Sequence, residues 1–356
     1  MSNQAAAGFD VSKNWIILLP PKLPNIKKST EDLSRYIGLL AGGDSKKPLI
    51  ADANGSAPSC PIIALNITSE SLVRNGFSWR AKPERVEIFG ESSRGLNNGI
   101  YSFLAALGIS WPAAGEEKLP VADTEKKPGG ASIYPLARSE AHEPSCEPEQ
   151  NTVAASWKRL VLSGKGEINN CLNKSEAFAA WAARNQYDAV IFPMSYGLEQ
   201  KLKQLRLFAA EYEIAVEMGG WELSSLVPRK HFFLHRDFFR MEKGQRKKDH
   251  NFCPTSPGAL QLIAKEGAKL FRQETKVFHL WPDKDAETLW CTCPTCRAFT
   301  VQEQNIIALN AAADVLTTVN PGAFICYYEK NPGEGGKLLP RKNTVKLEKL
   351  PEELKK

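Results

Sequence analysis

Residues 188–222, DAVIFPMSYGLEQKLKQLRLFAAEYEIAVEMGGWE, decide the fold class of this chain. Two short apolar runs, at 188–193 and 214–218, enclose a segment whose apolar residues recur every three to four positions. Short apolar runs are typical of buried strands, and this recurrence is typical of one face of a helix. Strands that are apolar throughout belong to parallel sheets with helices on their faces. The stretch therefore predicts a strand–helix–strand unit of an α/β fold.

The same alternation continues outward over residues 156–356, where further strands are predicted at 159–162, 277–280 and 323–327. A complete eight-stranded (β/α) barrel needs about 250 residues, whereas about 200 follow residue 155. We therefore predict an incomplete parallel (β/α) TIM-type barrel of about five strands. An open, doubly wound sheet is the alternative. A partial barrel leaves a sheet edge that invites a homodimer or another partner.

Two helices of the predicted barrel have recognisable start signals. Thr255 or Ser256 precedes Pro257, a residue favoured at the first helical position. Thr300 and Glu303 have the spacing of a capping box. After the fifth strand, residues 344–347 have the composition of a further strand.

Residues 1–112 have a different pattern, which predicts a small, separate α/β domain. Apolar runs in it predict four strands: 15–19, 61–68, 77–80 and 85–89. Ser29-Thr30 predicts the cap of a first helix. A second helix follows three glycines whose spacing matches neither a dinucleotide fingerprint nor a P-loop: Gly90, Gly95 and Gly99. Close packing of helix on strand explains those glycines better. Residues 113–155, which lack apolar periodicity, predict a linker.

The bulk composition excludes few classes of protein. The chain carries 46 Lys and Arg against 40 acidic residues, a net charge of +6, and part of this excess lies in the C-terminal tail. A solvated basic surface explains so mild an excess better than nucleic-acid binding. No apolar run is long enough to span a membrane, and the first residues lack the pattern of a secretory signal. We expect a cytoplasmic protein, or an exported one if an upstream signal has been removed.

Carboxylates and aromatic rings follow the predicted strands of the barrel. Glu222 and Trp221 follow the third strand, Trp281 and Asp283 follow the fourth, and Tyr327 ends the fifth. In parallel β/α folds the functional groups stand after the carboxyl ends of strands. Two carboxyl groups beside flat rings suit the cleavage of glycosidic bonds. For Asp283 a turn residue is an equally good interpretation, and for Asp285, Glu287 and Glu329 it is the better one.

Four cysteines are expected at the same end of the barrel. Cys291, Cys293 and Cys296 follow the fourth strand, and Cys253 lies in the long loop after the third. Four thiolates are a closed ligand set for structural zinc. A redox pair of Cys293 with Cys296 and simple free thiols are the alternatives. His250 and His279 are substitute ligands, although His279 lies within a strand and is better explained by packing.

The loop after the third strand interleaves basic and aromatic residues. Such a loop can bind nucleic acid. It can also cover the barrel mouth, with Arg229 meeting a carboxylate of the substrate. A loop held in place by its phenylalanines is the interpretation we favour. The members of this set are Arg229, Lys230, His231, Phe232, Phe233, His235, Arg236, Phe238, Phe239, Arg240, Arg246, Lys247 and Lys248.

Two resemblances to known families add to this reading. The run VEIFGESSRGLNNGIYSFL at 86–104 resembles the end of the small α/β domain that precedes the barrel in α-glucuronidases and family 20 β-hexosaminidases. Residues 215–328 are similar to an uncharacterised bacterial barrel family grouped with glycoside hydrolases, through Gly219-Gly-Trp-Glu, Trp281-Pro-Asp and Cys291-x-Cys293-x-x-Cys296. This family tends to have histidine at the position of Trp221. The resemblances imply a carbohydrate-active protein.

The sequence therefore predicts a glycoside hydrolase that uses carboxylate acid/base chemistry. Asp283 and Glu222 are its candidate catalytic residues. The candidate substrate-binding residues are Trp221, Trp281, Arg229 and Tyr327. The alternatives are a non-catalytic carbohydrate-binding or scaffold protein and, less favoured, a zinc-dependent interaction module. A carbohydrate is the expected ligand, structural zinc is the expected cofactor, and neither a membrane nor a nucleic acid is an expected partner.

Overall fold

The computed structural model describes residues 8–21, 25–43, 46–52, 60–67, 76–120, 133–135, 158–194, 198–283, 289–328 and 337–347. The chain divides into two compact units. The first comprises Met1–Glu147, Cys171–Asp188 and Gln204–Ala215, and the second comprises Pro148–Asn170, Ala189–Lys203 and Val216–Lys356. The predicted linker boundaries at 112 and 155 stay predictions, since most of 113–155 lies outside the described residues. No described helix has the length and apolar character needed to cross a membrane.

The first unit contains a mixed five-stranded sheet with helices packed on it. Its elements are β1 Gly8–Asp10, β2 Ile16–Leu19, α1 Lys27–Leu40, β3 Leu49–Asp52, β4 Ile62–Ile67, β5 Phe77–Lys82, β6 Arg85–Gly90, α2 Ser93–Ala106 and β7 Ile133–Pro135. The strand order is β3-β2-β4-β6-β5, and β5 alone runs antiparallel to its neighbour. Strands β1 and β7 form a separate antiparallel pair.

Helix α2 confirms the packing interpretation of the glycine turn. The Ser92 side chain caps α2 by accepting a hydrogen bond from the Gly95 backbone. A Cβ atom at Gly90 would lie 2.3 Å from the Leu96 nitrogen, and one at Gly99 would lie 2.7 Å from the Ile88 side chain. Strand and helix are therefore too close for larger residues at these two positions.

The predicted cap of α1 is wrong. The helix begins at Lys27, and the residue before it, Ile26, makes no side-chain cap. Ser29 and Thr30 lie inside the first turn, where both hydroxyls donate to the Ile26 carbonyl. The two hydroxyls thus satisfy a backbone acceptor from within the helix, and the sequence pattern does not distinguish this from capping.

The remaining elements follow the strand–helix alternation. They are β8 Arg159–Val161, α3 Lys165–Asn173, α4 Ser175–Arg184, β9 Ala189–Phe192, α5 Glu199–Glu211, β10 Ala215–Gly220, β11 Met241–Glu242, β12 Gln245–Arg246, α6 Pro257–Leu270, β13 Val277–Leu280, α7 Val301–Val319, β14 Phe324–Tyr328 and β15 Thr344–Leu347. The Ser256 side chain caps α6, and Thr300 and Glu303 form the expected capping box of α7. Helix α3 was not expected from the sequence.

The second unit is built on a six-stranded sheet with the order β15-β14-β13-β10-β9-β8. The pairs β8–β9, β10–β13, β13–β14 and β14–β15 are parallel. The six strands of this sheet follow one another in chain order, which is the progression of a (β/α) barrel, and β11 and β12 form a separate pair. The fold is therefore α/β: a small α/β domain followed by a barrel that does not close among the described residues.

Strand β15 confirms the further strand predicted at 344–347 and brings the number of strands in this sheet from the expected five or so to six. Thr344 to Leu347 pair in parallel register with Ile325 to Tyr328. The segment is short and only its last side chain is fully buried. Its apolar signal is therefore weaker than that of the central strands.

Candidate functional site

Two glycines at the carboxyl end of β10 allow this strand to approach the end of β13 closely. Gly219 and Gly220 have φ values of +116° and +126°, and a Cβ atom on Gly219 would lie 2.0 Å from the His279 carbonyl oxygen. The Trp281 nitrogen donates to the Gly220 oxygen at 2.8 Å, and the Leu223 nitrogen donates to the Trp281 oxygen at 3.1 Å. Only glycine permits this close approach at such φ values. The residues that follow the two strands therefore start from one edge of the sheet.

Glu222, the first of the two candidate carboxyl groups, is half-buried. Its Oε2 accepts a hydrogen bond of 2.6 Å from the Met194 nitrogen, just beyond the end of β9. Burial raises the pKa of Glu222 above its ordinary value, and the Met194 hydrogen bond opposes this only in part. A carboxyl group with a raised pKa is suited to donate a proton near neutral pH.

Asp283 has polar partners on both carboxylate oxygens. Ser224 donates its hydroxyl to Oδ1, and Arg229 Nη2 donates to Oδ2 at 2.9 Å. The Asp283 backbone nitrogen donates to Asn251 Oδ1 at 3.3 Å. The side chain retains 20% of its exposure. Glu222 and Asp283 thus have different surroundings: the first has a backbone hydrogen bond and the second a salt bridge.

The structure corrects the expected positions of two aromatic residues. Trp281 has no exposed surface and packs within the core of the sheet, so its ring face is not available as a sugar platform. Side chains alternate along β14, so that Tyr327 points to the opposite face from Cys326 and Tyr328, which belong to that core. Trp221 is only partly buried and meets Trp281 edge to face at 5.4 Å. It remains the aromatic candidate at this edge.

The basic loop after β10 contacts the site through Arg229. Phe239 and Phe252 are fully buried and bridge two parts of the loop, which supports a loop held in place by its phenylalanines. Phe233, in contrast, is 75% exposed. Residues 223–252 hold eight Lys and Arg against three acidic residues, a net +5 of the chain's +6. Asp285, Glu287 and Glu329 lie outside the described residues.

A charged network that sequence reasoning missed lies inside the sheet. Glu217 on β10 accepts hydrogen bonds from Arg159 Nε on β8 at 2.8 Å and shares one of 2.6 Å with His279 Nε2 on β13. All three residues are buried. The packing interpretation of His279 is confirmed, although its partner is a carboxylate. The sequence did contain a signal for this network, because Glu217 and Arg159 are charged residues within otherwise apolar strands.

This network predicts that the protein loses stability on acidification. Burial lowers the pKa of His279, and its hydrogen bond with Glu217 opposes this only in part. Burial raises the pKa of Glu217, but the charge of Arg159 and the hydrogen bonds from His279 and Arg159 outweigh it, so that the pKa lies below its ordinary value. Both groups bind protons more readily in the unfolded chain. The free energy of unfolding therefore decreases as the pH decreases.

We expect the decline to begin below the unfolded pKa of histidine, about 6.5, and to continue below that of glutamate, about 4.3. Denaturant titration of the chain and of His279→Gln at pH 5, 6 and 7.5 checks this expectation. In the variant the decline between pH 7.5 and 5 should be smaller. An equal decline in both proteins would contradict the assignment to His279.

The four predicted cysteines form one buried cluster. Their Sγ atoms all lie within 4.8 Å of one another. The distance from Cys253 Sγ is 3.9 Å to Cys293 Sγ and 3.7 Å to Cys296 Sγ. Four thiols bonded at about 2.3 Å to a tetrahedral zinc ion lie about 3.8 Å apart. None of the four is in a disulfide. The cluster has the donors and the spacing to hold a metal ion.

Neighbouring groups stabilise negative charge on this cluster. The Met241 nitrogen donates to Cys291 Sγ at 3.2 Å, and Arg246 Nη1 lies 3.8 Å from the same sulfur. Metal-binding cysteines must be deprotonated, and such donors favour that state. The alternative of a redox pair between Cys293 and Cys296 has less support. Cys253 Sγ lies 3.7 Å from Cys296 Sγ, a distance at which both sulfurs can bind the same metal ion.

Comparisons with known proteins show similarity at the level of the fold. The chain is similar to the chitobiase FjGH20 of Flavobacterium johnsoniae, with a TM-score of 0.50 and 11% identity over 90% of this chain and 50% of that one. It is also similar to the GH20 β-N-acetylhexosaminidase of Streptomyces coelicolor A3(2), with a TM-score of 0.48 and 10% identity over 96% and 66%. For the GH20 exo-β-N-acetylglucosaminidase of Vibrio harveyi the TM-score is 0.46, with 11% identity over 96% and 54%.

The chain thus spans between half and two thirds of the length of these three enzymes. No protein-family model matches the sequence, and no curated protein matches it. At such low identity the similarity extends to the fold and not to the chemistry. What the comparison with the chitobiase shows is a similar fold.

Proposed function

We propose that this protein acts on glycosidic bonds, with Glu222 and Asp283 as its reacting carboxyl groups. The observation that carries the proposal is the difference between their surroundings. Glu222 is half-buried with a raised pKa, whereas Asp283 is salt-bridged to Arg229. Glycosidases need one carboxyl group that donates a proton and a second that assists at the anomeric carbon or activates water.

The position of the two groups supports the same proposal. Glu222 follows β10 and Asp283 follows β13, and these strands are neighbours in the sheet. Loops after the carboxyl ends of strands carry the active sites of β/α barrels. The similar solved enzymes are named for action on N-acetylated amino sugars. We extend to this chain only the broader class of glycosides.

Hydrolysis of a panel of aryl glycosides tests the proposal. Asp283→Asn should lower kcat/KM by about a hundred- to ten-thousand-fold, as expected for loss of an acid/base group. Asp314 is a matched control, since it is an exposed aspartate of the same unit that pairs with Arg341. Asp314→Asn should retain full turnover. Equal turnover by Asp283→Asn and the unaltered chain would remove Asp283 from the mechanism.

A non-catalytic carbohydrate-binding protein is the second candidate. One observation favours it: both oxygens of Asp283 already have protein donors. This candidate predicts saturable binding of an oligosaccharide without turnover. Calorimetric titration with the same glycosides distinguishes it from the first.

We propose further that the cysteine cluster holds one structural zinc ion. All four donors are thiols, which favour zinc among the common divalent ions, and the set is closed to substrate. The metal would thus hold the loops after β10 and β13 together and would take no direct part in glycoside chemistry.

A further inference from the structure

We propose that the metal cluster also positions Asp283 and Arg229, and that Asn251 is the residue through which it does so. This inference rests on the zinc site and the carboxylate site proposed above. The structural basis is the short segment 250–253, which has the metal ligand Cys253 at one end and contacts to both site residues at the other.

The end of the segment nearest the cluster is tightly fixed. Cys253 contributes its sulfur to the cluster, and its backbone nitrogen donates to the Phe238 oxygen at 2.9 Å. Phe252 is fully buried and packs edge to face on Trp290 at 6.0 Å. Trp290 directly precedes the ligand Cys291. The loop after β10 and the loop after β13, which supply the metal ligands, therefore both contact Phe252 and Cys253.

Asn251 connects the segment to the backbone around Asp283. Its side chain is fully buried. The side-chain oxygen accepts from the Asp283 nitrogen at 3.3 Å, and the side-chain nitrogen donates to the Leu289 oxygen at 3.0 Å. Leu289 lies two residues before Cys291. The Asn251 side chain thus links Asp283, near the start of the loop after β13, to Leu289, which lies just before Cys291, the first metal ligand of that loop.

The same segment also positions Arg229. The guanidinium Nη2 donates both to the His250 carbonyl oxygen and to Asp283 Oδ2. His250 has a φ of +51°, a backbone conformation that residues other than glycine seldom adopt. Neighbouring contacts must hold such a conformation, and the fixed chain at Phe252 and Cys253 supplies them. The segment 250–253 therefore both orients the His250 carbonyl towards Arg229 and supplies the metal ligand Cys253.

Zinc removal should consequently loosen the carboxylate site as well as the cysteines. Hydrogen–deuterium exchange of the full chain, zinc-loaded and then treated with 1,10-phenanthroline, tests this without any measurement of activity. We expect exchange to rise at least tenfold in peptides covering 223–230, 249–256 and 279–283. A peptide covering 96–104 of α2 should not change. An increase confined to 249–256 and 290–297 would overturn the inference, and so would a chain that never binds zinc.

The variant Asn251→Leu separates the connection from the metal. It should keep one zinc per chain yet show the same tenfold rise in exchange at 223–230 and 279–283. The control is Asn305→Leu, which replaces an equally buried asparagine on α7. If a glycoside is hydrolysed, Asn251→Leu should lower kcat by about ten- to a hundredfold with little change in KM, because small displacements of reacting groups are costly.

These outcomes distinguish this inference from the proposed function. A chain without glycosidase activity whose site peptides still respond to phenanthroline supports the positioning role and contradicts only the enzyme. A chain with activity and zinc-independent exchange at 223–230 contradicts the positioning role alone. Normal exchange in Asn251→Leu would remove Asn251 from it.

Discussion

Replacing Cys296 with serine is expected to abolish stoichiometric zinc binding. Its sulfur is fully buried and lies 3.7 Å from Cys253 Sγ. A serine hydroxyl is a much weaker zinc ligand than a thiolate, and three donors leave the ion open to water. Loss of groups that only support metal ligands costs about ten- to a hundredfold in affinity. We expect more than about a hundredfold for a ligand itself, measured by competition with a zinc-binding dye.

The chain offers matched controls for this experiment. Cys171 and Cys326 are also buried but lie outside the cluster. Serine at either position should leave one zinc per chain, although some stability is lost from burying a hydroxyl. Metal analysis of the unaltered protein comes first. A metal-free protein that fails to take up zinc would contradict the site, and so would equal zinc content in Cys296→Ser and Cys171→Ser.

Replacing Glu217 with alanine is expected to destabilise the second unit by about 3–5 kcal/mol. The change leaves Arg159 buried without its counter-charge and takes away the hydrogen-bond partner of His279. Breaking a buried ion pair on one side carries this penalty because the remaining charge cannot reach water. Denaturant unfolding followed by tryptophan fluorescence measures it, since Trp281 lies 5.4 Å from the His279 ring.

A double replacement shows whether charge burial causes the loss. Arg159→Met with Glu217→Leu replaces the pair by apolar residues of similar size, and such exchanges are often neutral or stabilising. We therefore expect the double variant to be more stable than Glu217→Ala. A double variant that is less stable than the single one would show that lost packing, and not the unpaired arginine, is responsible.

Much of the fold could be predicted from the sequence because the central strands are apolar throughout. Strand β13 lies where its pattern placed it, at Val277–Leu280. The N-cap and first-turn proline located α6, and the capping box located α7. Strand β15 was harder to predict from the sequence, because a strand at the edge of a sheet needs few apolar residues. Helix α3, Lys165–Asn173, is short and has only three apolar residues, Ile168, Cys171 and Leu172, which are too few to reveal a helical period.

The candidate site was predictable in part for similar reasons. Cysteine spacing is a local signal, and the addition of Cys253 required only that two loops follow neighbouring strands. The Arg159–Glu217–His279 network depends on the register of three strands, which no local pattern gives. The direction of Tyr327 likewise depends on where β14 begins, since a shift of one residue exchanges the two faces.

The most direct test of the proposed chemistry compares leaving groups in Glu222→Gln. A general acid protonates the departing oxygen, so its loss matters little when the leaving group is a stable anion such as dinitrophenolate and much when it is an alcohol. We expect Glu222→Gln to lose at least about a hundredfold in kcat/KM on an alkyl glycoside and less than about tenfold on the dinitrophenyl glycoside. Equal losses on the two substrates, or none, would contradict Glu222 as the acid.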